Sequence, residues 1–329
     1  MDLGSLADKS LRGEALSREE ARAVLHLPDE QMLQLLDAAY RVRLHYWGRT
    51  VHLHMLVNAK SGLCPEDCGY CSQSSVSTAE IEKYPWLNTE QLLDGARRAK
   101  EVHAKRYCIV ASGRGPTPSE LEDLARVIRR IKEEVGIGVC TSLGLLTEEK
   151  ALLLKEAGVD QVNHNLNTSE RYYPQVCTTH TYQDRVETLR HARAAGLQLC
   201  CGAIFGQGES EDDILDVIYA LREIGVESIP CNFLHPIPGT PLANYNYLSP
   251  LQCLRILCLV RLLNPASEVR VAGGREFHLR AVQPLLLYPA NSIFVSGYLT
   301  TPGQRPKEAM RMIEDMGFEL VTEWEHVSP

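Results

Sequence analysis

The sequence predicts an α/β fold, a (β/α)8 TIM-type barrel with an N-terminal helical extension. Three observations support this. From residue 51 onward, short β-rich runs alternate with longer amphipathic segments. Eight such runs occur, and together they occupy roughly 250 residues, the size of such a barrel. No low-complexity segment or long linker interrupts the rhythm. Periodicity does not reveal closure, so a doubly wound open sheet is the structural alternative.

Residues 8–48 read as helical. Ser17 and Glu20 have the spacing of a capping box, Pro28 separates two helices, and Met32, Leu35, Leu36 and Ala39 recur at helical spacing. The candidate strands are 51–59, 106–112, 136–143, 161–167, 197–206, 228–235, 268–274 and 291–298. Helix starts between them are marked by Thr117-Pro118-Ser119-Glu120, by Thr147 before Glu148, and by Ser249-Pro250. The expected organisation is a helical extension over 1–50, one catalytic barrel over 51–317 and a C-terminal tail over 318–329.

Composition narrows the function. The 329 residues are 44% hydrophobic, enough for a substantial core, and the net charge is −8 with no basic tract, which argues against nucleic acid as the main partner. No apolar run has membrane-spanning length, and Met1-Asp2-Leu3-Gly4 does not begin a signal peptide, so a soluble cytoplasmic chain is expected. Eleven cysteines in such a chain point to metal binding or catalysis before disulfides.

The most informative segment is Cys64-Pro65-Glu66-Asp67-Cys68-Gly69-Tyr70-Cys71, three thiols at C-x3-C-x2-C spacing on a loop after the first predicted strand. Thiolates suit Fe–S clusters and zinc, and a cubane with three protein ligands leaves one iron open. The competing readings are a zinc site completed by a distant Cys or His, or a disulfide-linked loop. Zinc sites usually pair two C-x2-C units or C-x2-C with a histidine pair, and only one such unit is present here. In a barrel this loop lies on the catalytic face, at the C-terminal ends of the strands.

Strand alternation adds candidates. Asn163, Asn165 and Asn167 fall on one face, as a ligand site or as a structural hydrogen-bond network. Cys200, Gly202, Ile204 and Gly206 share a face, and Cys201 points away. Cys108, Cys140 and Arg270 lie on other strands. The cysteines read as apolar filling or as a second metal site, and Arg270 as a buried salt bridge or an anion contact.

Seven segments in order, CPEDCGYC (64–71), RYCIVASGRG (106–115), NHNLNTS (163–169), CCGAIFGQGE (200–209), NFLHPIPGTPL (232–242), VRVAGGRE (269–276) and ANSIFVSGYLTTPG (290–303), resemble the biotin synthases of the radical S-adenosylmethionine superfamily. The resemblance runs from about residue 50 to about residue 317. It implies a 4Fe–4S cluster on the catalytic cysteines Cys64, Cys68 and Cys71, and a 2Fe–2S cluster on Cys108, Cys140, Cys200 and Arg270. It implies S-adenosylmethionine beside Tyr70, Asn165, Asn167 and Ile204. Dethiobiotin is implied beside Asn165 and Asn232 at its ureido ring and beside Thr300 and Thr301 at its carboxylate. Many family members carry aspartate where this chain has Asn167.

Guanidinium has no free lone pair, so the ligand role of Arg270 comes from the resemblance alone. The implied reaction is sulfur insertion into dethiobiotin by a 5′-deoxyadenosyl radical. The implied partners are a flavodoxin or ferredoxin reductant, the iron–sulfur assembly machinery and a second copy in a homodimer. Another barrel-type radical enzyme of the hydrogenase-maturation kind, or a non-catalytic iron–sulfur scaffold, is the alternative.

Overall fold

A computed structural model describes residues 2–322. The strands, in chain order, are β1 (Thr50–Lys60), β2 (Ala104–Ala111), β3 (Gly138–Ser142), β4 (Gln161–Asn163), β5 (Gln198–Cys200), β6 (Ala203–Phe205), β7 (Ser228–Phe233), β8 (Glu268–Val271), β9 (Ser292–Val295) and β10 (Glu319–Leu320). All of their pairings are parallel, and β1 pairs with both β2 and β9. The β9 pairing, His52 opposite Ser292 through Met55 opposite Val295, closes the sheet into a barrel. The doubly wound open sheet is thereby excluded.

The predicted fifth strand, 197–206, is one stave broken into β5 and β6. At Gly202 an added Cβ would meet the Pro230 carbonyl oxygen at 1.9 Å, so only glycine lets the two backbones approach. The predicted strand 161–167 ends at Asn163 because its backbone leaves the ladder: Asn167 has φ +70° and pairs only as a bridge with Ala203. Several other strands also stop short of their predicted C-terminal ends, where the chain peels off into loops over the cavity.

Three helices precede the barrel: α1 (Leu3–Leu11), α2 (Arg18–Leu25) and α3 (Met32–Trp47). The Ser17/Glu20 capping box forms as predicted. The helices that follow are α4 (Thr89–Glu101), α5 (Pro118–Arg130), α6 (Glu148–Glu156), α7 (Tyr173–Val176), α8 (Tyr182–Ala194), α9 (Glu211–Ile224), α10 (Pro250–Leu263), α11 (Arg275–Leu279) and α12 (Pro306–Asp315). Thr117, Thr147, Thr181, Ser210 and Ser249 cap α5, α6, α8, α9 and α10 through their hydroxyls.

Helix α10 is apolar nearly all round and buried along its length, because α1, α2 and α3 pack over the side that an ordinary barrel helix shows to water. Its buried Arg261 is satisfied by the carbonyls of Pro289, Pro265 and Ser267 and by Asn291 Oδ1. The N-terminal extension therefore shields the outer face of one barrel helix and leaves the catalytic end open. Within the predicted tail, Glu319–Leu320 pairs with Thr50–Val51 at the start of β1, and residues 323–329 lie outside the described residues.

Candidate functional site

A cavity of about 370 Å³ opens at the C-terminal ends of the strands, and every sequence-predicted site residue lines it. The residues fall into an outer and an inner group of thiols, with the asparagines of the fourth and seventh strands contributing to the same wall.

The outer group is the loop after β1. Gly62 and Leu63 take positive φ, 70° and 53°, turning the chain sharply off the strand. Gln73 Oε1 accepts from Asn58 Nδ2 and Gly62 N, which staples the start of the loop to its end. Cys71 N donates to Cys68 O and Ser74 N to Cys71 O, so the last cysteines sit on consecutive tight turns. Burial raises the Cys64 thiol, and it pushes Cys71 up to about 11. Cys68 is also raised, first by its hydrogen bond with Cys177 and then by burial. Metal-free, this loop holds thiols, and any metal bound there would have to displace their protons.

The loop is clamped to the segment after α7. Gly69 N donates to Val176 O at 2.8 Å, and the Asp67 carboxylate accepts from the backbone N–H groups of Thr178 and Thr179 and from both threonine hydroxyls. Glu66 accepts from Thr179 Oγ1 at 2.7 Å and pairs with His180 Nδ1. Cys177 Sγ lies 3.7 Å from Cys68 Sγ. Arg185 ties this corner to the asparagine wall, donating to Asn165 O and to His180 Nε2, each at 2.8 Å, and to Tyr173 Oη.

Cys68, Cys177 and His180 place their donor atoms within 4.8 Å of one another, the distant Cys and His that a zinc reading requires. Arg185 weighs against it. Its N–H occupies the Nε2 lone pair of His180, so the ring proton sits on Nδ1, the nitrogen that faces the sulfurs.

The inner group lies deeper and belongs to strands. Cys108 on β2 stands directly opposite Cys140 on β3, Cys200 on β5 stands opposite Asn163 on β4, and all three thiols are almost fully buried. A hydrogen bond with Cys108, then burial, holds the Cys140 thiol well above the usual range, and a hydrogen bond with Cys140, then burial, does the same for Cys200. Arg270 on β8 completes the ring, with Nη1 donating to Cys200 Sγ at 3.4 Å.

The other nitrogens of Arg270 are committed. Nε donates to Ser292 Oγ at 3.1 Å, and Nη2 meets Ser228 Oγ, His54 Nε2 and the Glu268 carboxylate. Glu268 is buried but stays ionised well below the carboxylate range, because its burial is outweighed by His54, Arg270 and His52. The guanidinium is thus the buried salt bridge, one of the two readings the sequence left open, and its remaining N–H group faces the Cys200 thiol.

The asparagines stand between the two groups. Asn165 Oδ1 accepts from Gly202 N at 3.0 Å and Asn163 Nδ2 at 3.1 Å, which leaves its Nδ2 hydrogens to meet a ligand. Asn232 spends one amide hydrogen on Ala203 O and one lone pair on Gly273 N, keeping one donor and one acceptor. Asn167 donates to Tyr70 Oη at 2.6 Å. Its left-handed backbone is one that asparagine and aspartate tolerate better than most residues. Ile204 lines the cavity while Cys201 packs into the outer core, in keeping with the strand parity. Thr300 and Thr301 lie on the loop after β9, where Thr300 Oγ1 meets Ser72 Oγ at 2.7 Å.

Both groups suit iron and sulfur by donor chemistry. The outer one offers three thiols from one loop, and the inner one offers three thiols and a guanidinium with no carboxylate or imidazole in the ring. Sequence reading missed Glu66, Asp67, Cys177, His180 and Arg185 as a unit. The available signal was the Cys177-Thr178-Thr179-His180 run shortly after the asparagine motif.

Residues 60–242 match the family model for the Radical SAM superfamily, and residues 230–319 match that for the Biotin and Thiamin Synthesis associated domain. The chain is 51% identical over 315 residues to the biotin synthase of Bacillus subtilis (strain 168), covering 96% of this chain and 94% of that one. It is 52% identical over 316 residues to the biotin synthase of Geobacillus thermodenitrificans (strain NG80-2), covering 96% and 95%. Among solved structures, a methylornithine synthase (PylB) superposes with a TM-score of 0.83 at 22% identity, over 96% of this chain and 97% of that one. The hydrogenase maturase HydG from Carboxydothermus hydrogenoformans superposes with a TM-score of 0.81 at 21% identity, over 97% and 79%. At those identities the structural likeness speaks for the fold alone.

Proposed function

Since the chain belongs to the biotin synthase family of radical S-adenosylmethionine enzymes, we propose that its outer and inner thiol groups divide the reaction between radical generation and sulfur supply. The enzyme converts dethiobiotin to biotin, with a 4Fe–4S cluster supplying the electron that cleaves S-adenosylmethionine to methionine and a 5′-deoxyadenosyl radical, and a 2Fe–2S cluster supplying the sulfur. In this reading Cys64, Cys68 and Cys71 hold the first, and Cys108, Cys140, Cys200 and Arg270 hold the second.

The observation that carries the reading is the layering of one cavity, with an adaptable thiol loop at its mouth, a strand-built thiol ring at depth and neutral amides in its wall. Tyr70, Asn167 and Ile204 bound the cosubstrate, with Asn165 reaching both ligands. Asn165 presents N–H groups, and Asn232 presents one N–H and one carbonyl lone pair, which complements the C=O and N–H of a ureido ring. Thr300 and Thr301 offer hydroxyls to the substrate carboxylate. The amides and hydroxyls named here hold the substrate through neutral hydrogen-bonding groups.

Residues 51–317 form the catalytic unit, 1–50 an extension and 318–329 a tail. A flavodoxin or ferredoxin delivers the electron, assembly machinery reloads sulfide, and the chain works in the cytoplasm as a homodimer. These four assignments rest on the family. Among the described residues, no helix is long and apolar enough to cross a membrane.

Replacing one thiol of each group separates the roles. Cys64→Ala abolishes 5′-deoxyadenosine formation in anaerobic, reconstituted protein. Cys140→Ala keeps it and stops biotin formation. Unchanged 5′-deoxyadenosine in the first variant, or normal biotin yield in the second, overturns the reading.

A further inference from the structure

Ser72 follows directly on the last cysteine of the outer loop, and its hydroxyl meets Thr300 Oγ1 at 2.7 Å, a contact between two loops far apart in sequence. Both side chains line the cavity. We infer that Ser72 is a further substrate-binding residue, a third hydroxyl that joins Thr300 and Thr301 in holding the carboxylate of dethiobiotin.

This inference rests on the function proposed above and adds to the carboxylate end a residue from a different loop. The Ser72–Thr300 pair carries two O–H hydrogens, and its mutual bond uses one of them whichever side donates. The second is left to donate outward, since among the described residues neither oxygen has another protein partner. Thr300 N and Thr301 N likewise donate to no protein acceptor among the described residues. A carboxylate only accepts, through two oxygens, so adjacent hydroxyls with a hydrogen to give complement it. No fixed anion competes for them. Among the described residues Glu66 is the one acidic side chain in the cavity lining, and it is taken up by Thr179, His180 and Arg114.

The spacing of the pair is set by its neighbours. Asn58 Nδ2 donates to Gln73 Oε1 at 3.2 Å and to Leu299 O at 3.3 Å, so one amide holds the residue after Ser72 and the residue before Thr300. Tyr298 N donates to Thr301 O at 2.9 Å, which closes the threonine loop on itself. Hydroxyls fixed in this way lose little freedom when an anion arrives. A hydroxyl pair that served only to latch the two loops would act on any ligand alike; a binding pair acts on the carboxylate.

The test is equilibrium binding of dethiobiotin, and of its alcohol analogue with CH2OH in place of the carboxylate, to the anaerobic reconstituted enzyme with S-adenosylmethionine bound. Ser72→Ala should raise the Kd of the acid by about tenfold, the lower end for a hydrogen bond to a charged group, and move that of the alcohol by less than about threefold. Ser72→Thr keeps the hydroxyl and should stay within about threefold of the parent on the acid. If alanine loses iron from the adjoining loop, Ser72→Thr and Ser72→Val form a pair of similar shape that differs in the hydroxyl, and valine should bind the acid more weakly by the same factor. Equal weakening of acid and alcohol makes Ser72 a loop latch and overturns the inference, as does an unchanged affinity for the acid in the variants without the hydroxyl. Either result leaves the proposed reaction standing. A parent enzyme that binds no dethiobiotin overturns both.

Discussion

The two thiol groups of the cavity are built in opposite ways. The outer three arrive within eight residues of sequence, on a loop held by its own turns and by the Asp67 and Glu66 clamps. The inner three come from β2, β3 and β5, separated by at least thirty residues each and brought together only by barrel closure and strand register. A loop at the cavity mouth leaves room for a small molecule to enter beside its thiols. A ring of strands backed by Glu268, His52 and His54 holds its donors in one arrangement. The comparison teaches that the outer group should fail locally when altered, whereas the inner group should fail together with part of the barrel floor.

The largest expected effect is at the mouth. Cys64→Ala should reduce 5′-deoxyadenosine, quantified by chromatography after anaerobic turnover, to the level of protein-free controls while thermal unfolding stays close to the parent. Next is the inner ring, where Cys140→Ala should bring biotin to background and leave cosubstrate cleavage within about threefold of the parent. Equal loss of both products in both variants would break the division between the groups.

The floor supplies a sharper contrast. Glu268→Gln leaves Arg270 buried without its carboxylate partner and should cost about 3–5 kcal/mol in a denaturant titration. No single change in the exposed part of the outer loop should approach that. Smaller still, Asn232→Ala removes the amide that bridges Ala203 O and Gly273 N and should raise the KM for dethiobiotin by about tenfold, the worth of one or two neutral hydrogen bonds, with the KM for S-adenosylmethionine nearly unchanged.

An effect of similar size lies behind the asparagine wall, where Asp213 accepts from Ser169 and Arg171 and caps α9 through Ser210. These bonds outweigh burial and hold its carboxyl at about 2, below its ordinary 3.8. The contribution of a depressed carboxyl is complete above the unfolded value and is lost as pH falls from about 4 through about 2. Asp213→Asn should therefore cost about 1–3 kcal/mol at neutral pH, with the gap to the parent narrowing below pH 4.

What the sequence made legible follows the same contrast. The outer loop was readable because its ligands are neighbours in the chain. Barrel closure was not readable, since alternation predicts strands but not that β9 pairs with β1. Parity separated Cys200 from Cys201 although the stave breaks between β5 and β6, because the break at Gly202 keeps Cys200 and Ile204 on the cavity side. The end of β4 was misjudged: the asparagine run has strand-like alternation, but Asn167 turns left-handed and leaves the ladder. The Cys177 and His180 corner was invisible because its partners, Glu66, Asp67 and Cys68, lie more than a hundred residues away in sequence.

Iron and acid-labile sulfide analysis of anaerobically reconstituted parent, Cys64→Ala and Cys140→Ala proteins tests the central claim most directly, that one cavity holds two separable clusters. The account predicts about six irons in the parent, a loss of about four with Cys64→Ala and of about two with Cys140→Ala. Zinc on the outer loop, or the same iron loss in both variants, would contradict it.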